Sequence, residues 1–135
     1  MLIRKYTNKD LPSLKKLVND NNYWKFFTDK HYTKFLSFEN NILIGVAVVS
    51  ITLDTANLDF IFVREDRRSN NFGSKLVSTV EAYIKSKNAE GFCVNCGIEN
   101  KKAQDFYINE GFKEVGKVFN YFSNNNMQIF FWKKI

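Results

Sequence analysis

"NKKAQDFYINEGF", residues 100–112, has the spacing of a short amphipathic helix, with Ala103, Phe106 and Tyr107 on one stripe. Asn100 stands where an N-cap belongs, and Gly111 supplies a left-handed stop. Just before it, "GFCVNCG" (91–97) is a continuous apolar run of strand length. Further upstream, "RRSNNFGSKL" (67–76) joins the strand candidate "NLDFIFV" (57–63) to a helix from about Ser74 to Lys87, whose Leu76, Val77, Val80, Tyr83 and Ile84 share a face. Strand, helix, strand and helix in this succession require at least one parallel pairing through a crossover helix.

Outward from this half, Leu2–Tyr6 has strand character, and Leu11, Leu14, Leu17 and Val18 recur at helical spacing behind a cap at Asp10 or Thr7, with Pro12 in the first turn. Residues 19–31 hold a knot of rings, Tyr23, Trp24, Phe26 and Phe27, beside His31, and predict a loop or a short helix. "YTKFLSFE" (32–39) and "ILIGVAVVSI" (42–51) form a hairpin around Asn40 and Asn41, whose side chains tolerate positive φ. "KEVGKVFNYF" and "MQIFFWKK" add two strands around the polar turn "SNNN". The expected fold is α/β: a mixed sheet of about six or seven strands flanked by about three or four helices, in one domain over residues 1–135.

The 135 residues are 44% hydrophobic and 16% aromatic, enough for a core without disulfides or a structural metal. The net charge of +6 admits a nucleic-acid-binding module, yet two of the arginines cluster at one loop, Arg67 and Arg68, while the rings fall at core periodicity. Nucleic acid is therefore not the expected partner. No run approaches the roughly eighteen apolar residues of a membrane span, and "MLIRKYTNKD" lacks the apolar centre of a signal peptide. A cytoplasmic protein without a membrane partner is expected. Cys93 and Cys96 form a C-x-x-C on a strand, where positions three apart face opposite ways, so they are expected to be buried reduced thiols rather than metal ligands.

The loop at 67–76 has the ingredients of a phosphate cradle: the exposed N–H groups of a helix's first turn, the positive end of its dipole, and nearby guanidinium groups. It is neither G-x-G-x-x-G nor G-x-x-x-x-G-K-[ST], since Gly73 is its one glycine. It resembles the [RQ]-x-x-G-x-[GA] loop of the GNAT superfamily of N-acetyltransferases, with Arg68, Asn71 and Gly73 at the defined positions and Asn71 replacing the first glycine. Thirty-two residues beyond Arg68, the opening stretch resembles the superfamily's second signature, N-x-x-A-x-x-F-Y-x-x-x-G-F, at Asn100, Ala103, Phe106, Tyr107, Gly111 and Phe112. The joint spacing carries more than either motif.

The resemblance implies an acetyl-CoA slot where residues 57–63 and 92–96, as parallel neighbours, splay apart. Backbone groups at Ile61, Phe62 and Val63 would pair with the pantetheine arm. Arg68, Ser69, Asn70, Asn71, Phe72, Gly73 and Ser74 would hold the pyrophosphate, with Arg67, Arg68 or Lys75 neutralising its charge, and Asn100 and Ala103 would flank the arm. Tyr107 matches the superfamily's usual general acid, although a tyrosine on a core stripe has a packing explanation too. The base is implied at Asp59, expected on the same face as Ile61 and Val63, or at Glu99. The implied reaction is direct acetyl transfer to a primary amine of a small molecule or protein, without a metal, by a monomer or homodimer. The aromatic knot would line the acceptor side or simply close the core. A CoA-binding regulator without turnover is the alternative, and Asn71 is its support. Asparagine is the best L-residue for positive φ, so a working loop with altered CoA affinity is expected.

Overall fold

The computed structural model describes residues 1–135, which form seven strands and four α-helices. Strand β1 (Leu2–Lys5) runs antiparallel to β2 (Thr33–Glu39), and β2 to β3 (Ile42–Thr52). Asn40 and Asn41 turn the β2–β3 hairpin with φ of 51° and 65°, the left-handed pair that matches the natural twist of the strands. Between β1 and β2 lie helices α1 (Leu11–Leu17) and α2 (Trp24–Thr28). The short helix α2 is pinned by Trp24, whose indole N–H donates to the Val18 carbonyl at 2.8 Å.

Strand β4 (Thr55–Val63) continues the antiparallel order and begins two residues before the expected start. Helix α3 (Phe72–Ser86) then crosses to β5 (Gly91–Gly97), which lies parallel to β4. After α4 (Lys101–Asn109), β6 (Lys113–Phe119) and β7 (Met127–Lys134) close the chain, with β7 inserted antiparallel between β5 and β6. The sheet order is β1-β2-β3-β4-β5-β7-β6.

Strand β3 shows why both faces of the sheet need cover. Ala47 and Val49 point into a core shared with Leu76, Val80 and Ile84 of α3, while Val46 and Val48 point into a second core with Leu14 of α1 and Phe27 of α2. Leu76 and Leu14 are 0% exposed, and full burial of such a side chain contributes about 1.5–3 kcal/mol.

The β4–β5 junction positions the site. These strands pair at Thr55/Gly91, Ala56/Phe92 and Asn57/Cys93 and then separate. At the same level the β3–β4 register shifts between Val48 and Val49, so that Asp59 has no partner opposite it. A bulge bends its strand and locally breaks the two-residue alternation. Leu58 and Ile61 consequently pack toward the α3 side and Phe60 and Phe62 toward the α1–α2 side.

Candidate active site

Beyond the last paired residues, the divergence of β4 from β5 opens a cavity of about 740 Å³. Its β4 wall is Ile61, Phe62 and Val63. The Arg64 N–H donates to Ile44 on β3 at 2.7 Å, so strand alternation turns the N–H groups of Ile61 and Val63 the other way, into the gap. The Val63 carbonyl accepts from Arg68 Nε at 2.8 Å, which draws that guanidinium against the gap and over the Phe62 ring.

The second wall is the start of α3. Asn71 is the residue before the helix and adopts φ 64°, ψ 12°, the left-handed conformation for which the superfamily's loop uses glycine. Ser69 is left-handed as well, at φ 69°. No side chain caps the helix, and the backbone N–H groups of residues 69–74 receive no acceptor from the protein. Six consecutive donors without a protein acceptor thus stand at the positive end of a 15-residue helix, where the helix dipole favours negative charge. Arg68, Ser69, Asn71, Phe72, Gly73 and Ser74 all line the cavity. Helix α3 begins two residues earlier than expected, which places Gly73 inside the first turn.

Arg67 and Asn70 are not in the lining. Arg67 turns toward β2, where Nε reaches Glu39 at 2.6 Å, and Asn70 folds its amide back on the carbonyls of Arg67 and Arg68. Of the adjacent arginines, therefore, Arg68 is the one that lines the cavity. Lys75 is exposed and also lies outside the lining.

The third wall is α4, where Asn100, Ala103 and Tyr107 all line the cavity. Asn100 caps the helix through Oδ1, which accepts the Ala103 N–H at 3.1 Å. Tyr107 is 6% exposed, and burial, reinforced by nearby Cys96, holds its phenol protonated well above the usual tyrosine range. Five further lining residues escaped the sequence reading: Cys96, Lys102, Asp105, Phe106 and Asn109. Lys102, Phe106 and Asn109 follow one another at helical spacing, a signal masked in the sequence because Phe106 also falls on the apolar stripe with Ala103 and Tyr107.

Neither Asp59 nor Glu99 is in the lining. Asp59 accepts a 2.6 Å hydrogen bond from Ser50, on the face of Val48 rather than that of Val49. The bulge thus overturns the expectation that Asp59 shares a face with Ile61 and Val63. Burial raises the Asp59 carboxyl above its ordinary value, opposed by the Ser50 bond and by His31. Glu99 is exposed and accepts from the Asn126 amide at 2.9 Å. Cys93 and Cys96 are free, one opposite Trp132 and the other packed on the α3–α4 core, so the C-x-x-C spans the sheet instead of forming a pair. No helix is long and apolar enough to cross a membrane.

A seven-stranded mixed sheet opened at its parallel pair, with an uncapped helix start facing the opening, defines the class of fold. The chain belongs to the GNAT acetyltransferases: the family described as Acetyltransferase (GNAT) domain matches residues 2–129. Among solved structures it is similar to the ribosomal-protein-S18-alanine N-acetyltransferase from Escherichia coli, with TM-score 0.86 and 19% identity over 99% of this chain and 93% of that one. A ribosomal-protein-alanine N-acetyltransferase from Brucella melitensis gives TM-score 0.85 at 16% identity, with 100% of both chains covered. An aminoglycoside 6'-N-acetyltransferase complexed with coenzyme A gives 0.82 at 14% identity, over 99% of this chain and 97% of that one. No curated protein matches the chain in sequence.

Proposed function

We propose that the chain, taken as one domain over residues 1–135, is an acetyl-CoA-dependent N-acetyltransferase that acts on a primary amine. The observation that carries this reading is the row of uncommitted N–H groups at residues 69–74, of which all but Asn70 line the cavity that also holds Tyr107. A pyrophosphate fits such a row, and Arg68 adds the neighbouring positive charge. Hydrogen bonds to charged groups contribute about 1.5–3 kcal/mol each, so several support micromolar binding after the cost of association. The N–H groups of Ile61 and Val63, facing the gap, suit the amides of a pantetheine arm added like a strand, and one of them can polarise a thioester carbonyl.

The amine nitrogen, once neutral, attacks the carbonyl carbon, the new C–N bond forms, and the C–S bond breaks. The amine proton passes to Asp59 or to water, and Tyr107 gives its proton to the departing sulfur, leaving an amide and the free thiol. Tyr107 enters this step as the neutral phenol, because burial disfavours its phenolate. Asp59 is favoured over Glu99 as the base: it stands at the bulge beside the opening with a raised carboxyl, whereas Glu99 is exposed and engaged by Asn126.

The test is release of free thiol from acetyl-CoA across a panel of primary amines. Amine-dependent release above the hydrolytic background is expected with wild type. Tight acetyl-CoA binding without release for any amine would favour a regulator that has lost turnover.

A further inference from the structure

We infer that the acceptor is a small primary amine carried on an aromatic or apolar body, seated along a run of rings that leaves the cavity on the α1–α2 side; this rests on the transferase reading above. The run begins at Phe62 in the cavity wall, whose ring lies parallel to Phe60 with centroids 6.4 Å apart. Phe60 stacks on Tyr23 at 4.5 Å, and Phe26 faces Phe60 at 6.4 Å while meeting Tyr32 edge-on at 4.8 Å. Packing alone does not require so open an arrangement. Tyr23 is 38% exposed, and the others are half-buried above the fully buried Phe27. A ring or alkyl body laid against Tyr23 and Phe60 would extend an existing stack.

Charge narrows the class further. Asp59 is presented on this face by Ser50 at 2.6 Å, one carboxylate suited to one ammonium group among ring faces that also favour a cation. A polycation would need several converging carboxylates. The segments forming the run carry Lys25 and Lys30 beside Asp20 and Asp29, the latter accepting the His31 backbone N–H at 2.9 Å, and Arg64 is paired with Asp66 at 2.6 Å, so no excess of carboxylates gathers there.

The experiment titrates the full chain calorimetrically with phenethylamine, n-butylamine and spermidine, and separately follows acetyl-CoA by thermal unfolding and thiol release. Phenethylamine is expected to bind about tenfold tighter than either other amine, with the same order in kcat/KM. Tyr23→Ala should lower the phenethylamine-to-butylamine preference about three- to tenfold, and Tyr23→Leu, which keeps apolar bulk, should lower it less. Tightest binding of spermidine, no phenethylamine binding at millimolar concentration, or an equal loss for all three amines in Tyr23→Ala would overturn the inference. Failure of the transferase reading is separate: acetyl-CoA would neither stabilise the protein nor release thiol, whatever the order of the amines.

Discussion

Gly73, in the first turn of α3, faces Phe106, in the second half of α4: a Cβ built at position 73 would lie 3.2 Å from Cε1 of the Phe106 ring. The glycine of the first motif is thus explained by the phenylalanine of the second. Ser74 reinforces the same junction through a 2.8 Å hydrogen bond to Glu110. Gly73→Ala gains about 1 kcal/mol of helix propensity but must displace a ring that lines the cavity. Little change in Tm together with weaker acetyl-CoA binding is the expected outcome, read by thermal unfolding and calorimetric titration of one variant.

Asn71 holds a left-handed conformation that costs other L-residues about 1–2 kcal/mol. Asn71→Ala should therefore lose about 1 kcal/mol in urea unfolding. Asn71→Gly should be near neutral in stability, because relief of strain is offset by a freer unfolded chain, and should bind acetyl-CoA at least as well as wild type.

Half-buried Asp59 and buried Tyr107 shift the pH profile in a defined way. The Asp59 carboxyl is raised above 3.8, so activity that needs its carboxylate should fall, as pH drops, at a midpoint higher than for an ordinary carboxylate. Ser50→Ala removes a bond that favours the charged form and should move that midpoint up further. Tyr107 is raised above its ordinary 10.0, so loss of the acid should not limit the rate in the mildly alkaline range. Tyr107→Phe should lower kcat about 100-fold, and a wild-type kcat in that variant would remove Tyr107 from the mechanism.

Asp10 ties β1 to α1, accepting from both Arg4 nitrogens at 2.8 Å and from the Thr7 N–H at 2.7 Å. Arg4, followed by the Thr7 bonds, lowers its carboxyl from 3.8 to about 2 against the opposing effect of burial. A lowered carboxyl contributes stability that is present above its unfolded value and lost as pH falls toward the folded one. Screening at the 39% exposed Arg4 side chain trims the effect. Asp10→Asn should cost about 2 kcal/mol at neutral pH, and the difference should vanish as pH falls to about 2, as followed by urea unfolding across that window.

Much of this architecture was legible because local signals agreed. Asn100 and Gly111 bounded α4, Asn40 and Asn41 marked their hairpin, and Leu76, Val77, Val80 and Ile84 set the buried face of α3. What escaped depends on partners distant in sequence. Nothing near Asp59 announces the bulge, because it arises from pairing with Val48 and Val49. Arg67 and Arg68 looked equivalent until Glu39, from another strand, drew one of them away. Phe106 looked like core because periodicity identifies the stripe of a helix but not whether that stripe meets a core or a cavity.

The most direct measurement is thermal unfolding with and without acetyl-CoA. A site formed by residues 69–74, Ile61, Val63 and Tyr107 requires that ligand at a hundred times Kd add about 2.7 kcal/mol, a rise in Tm of about 8–12 °C, and that Arg68→Ala reduce it. An unchanged Tm at millimolar acetyl-CoA would contradict the acetyl-CoA site itself.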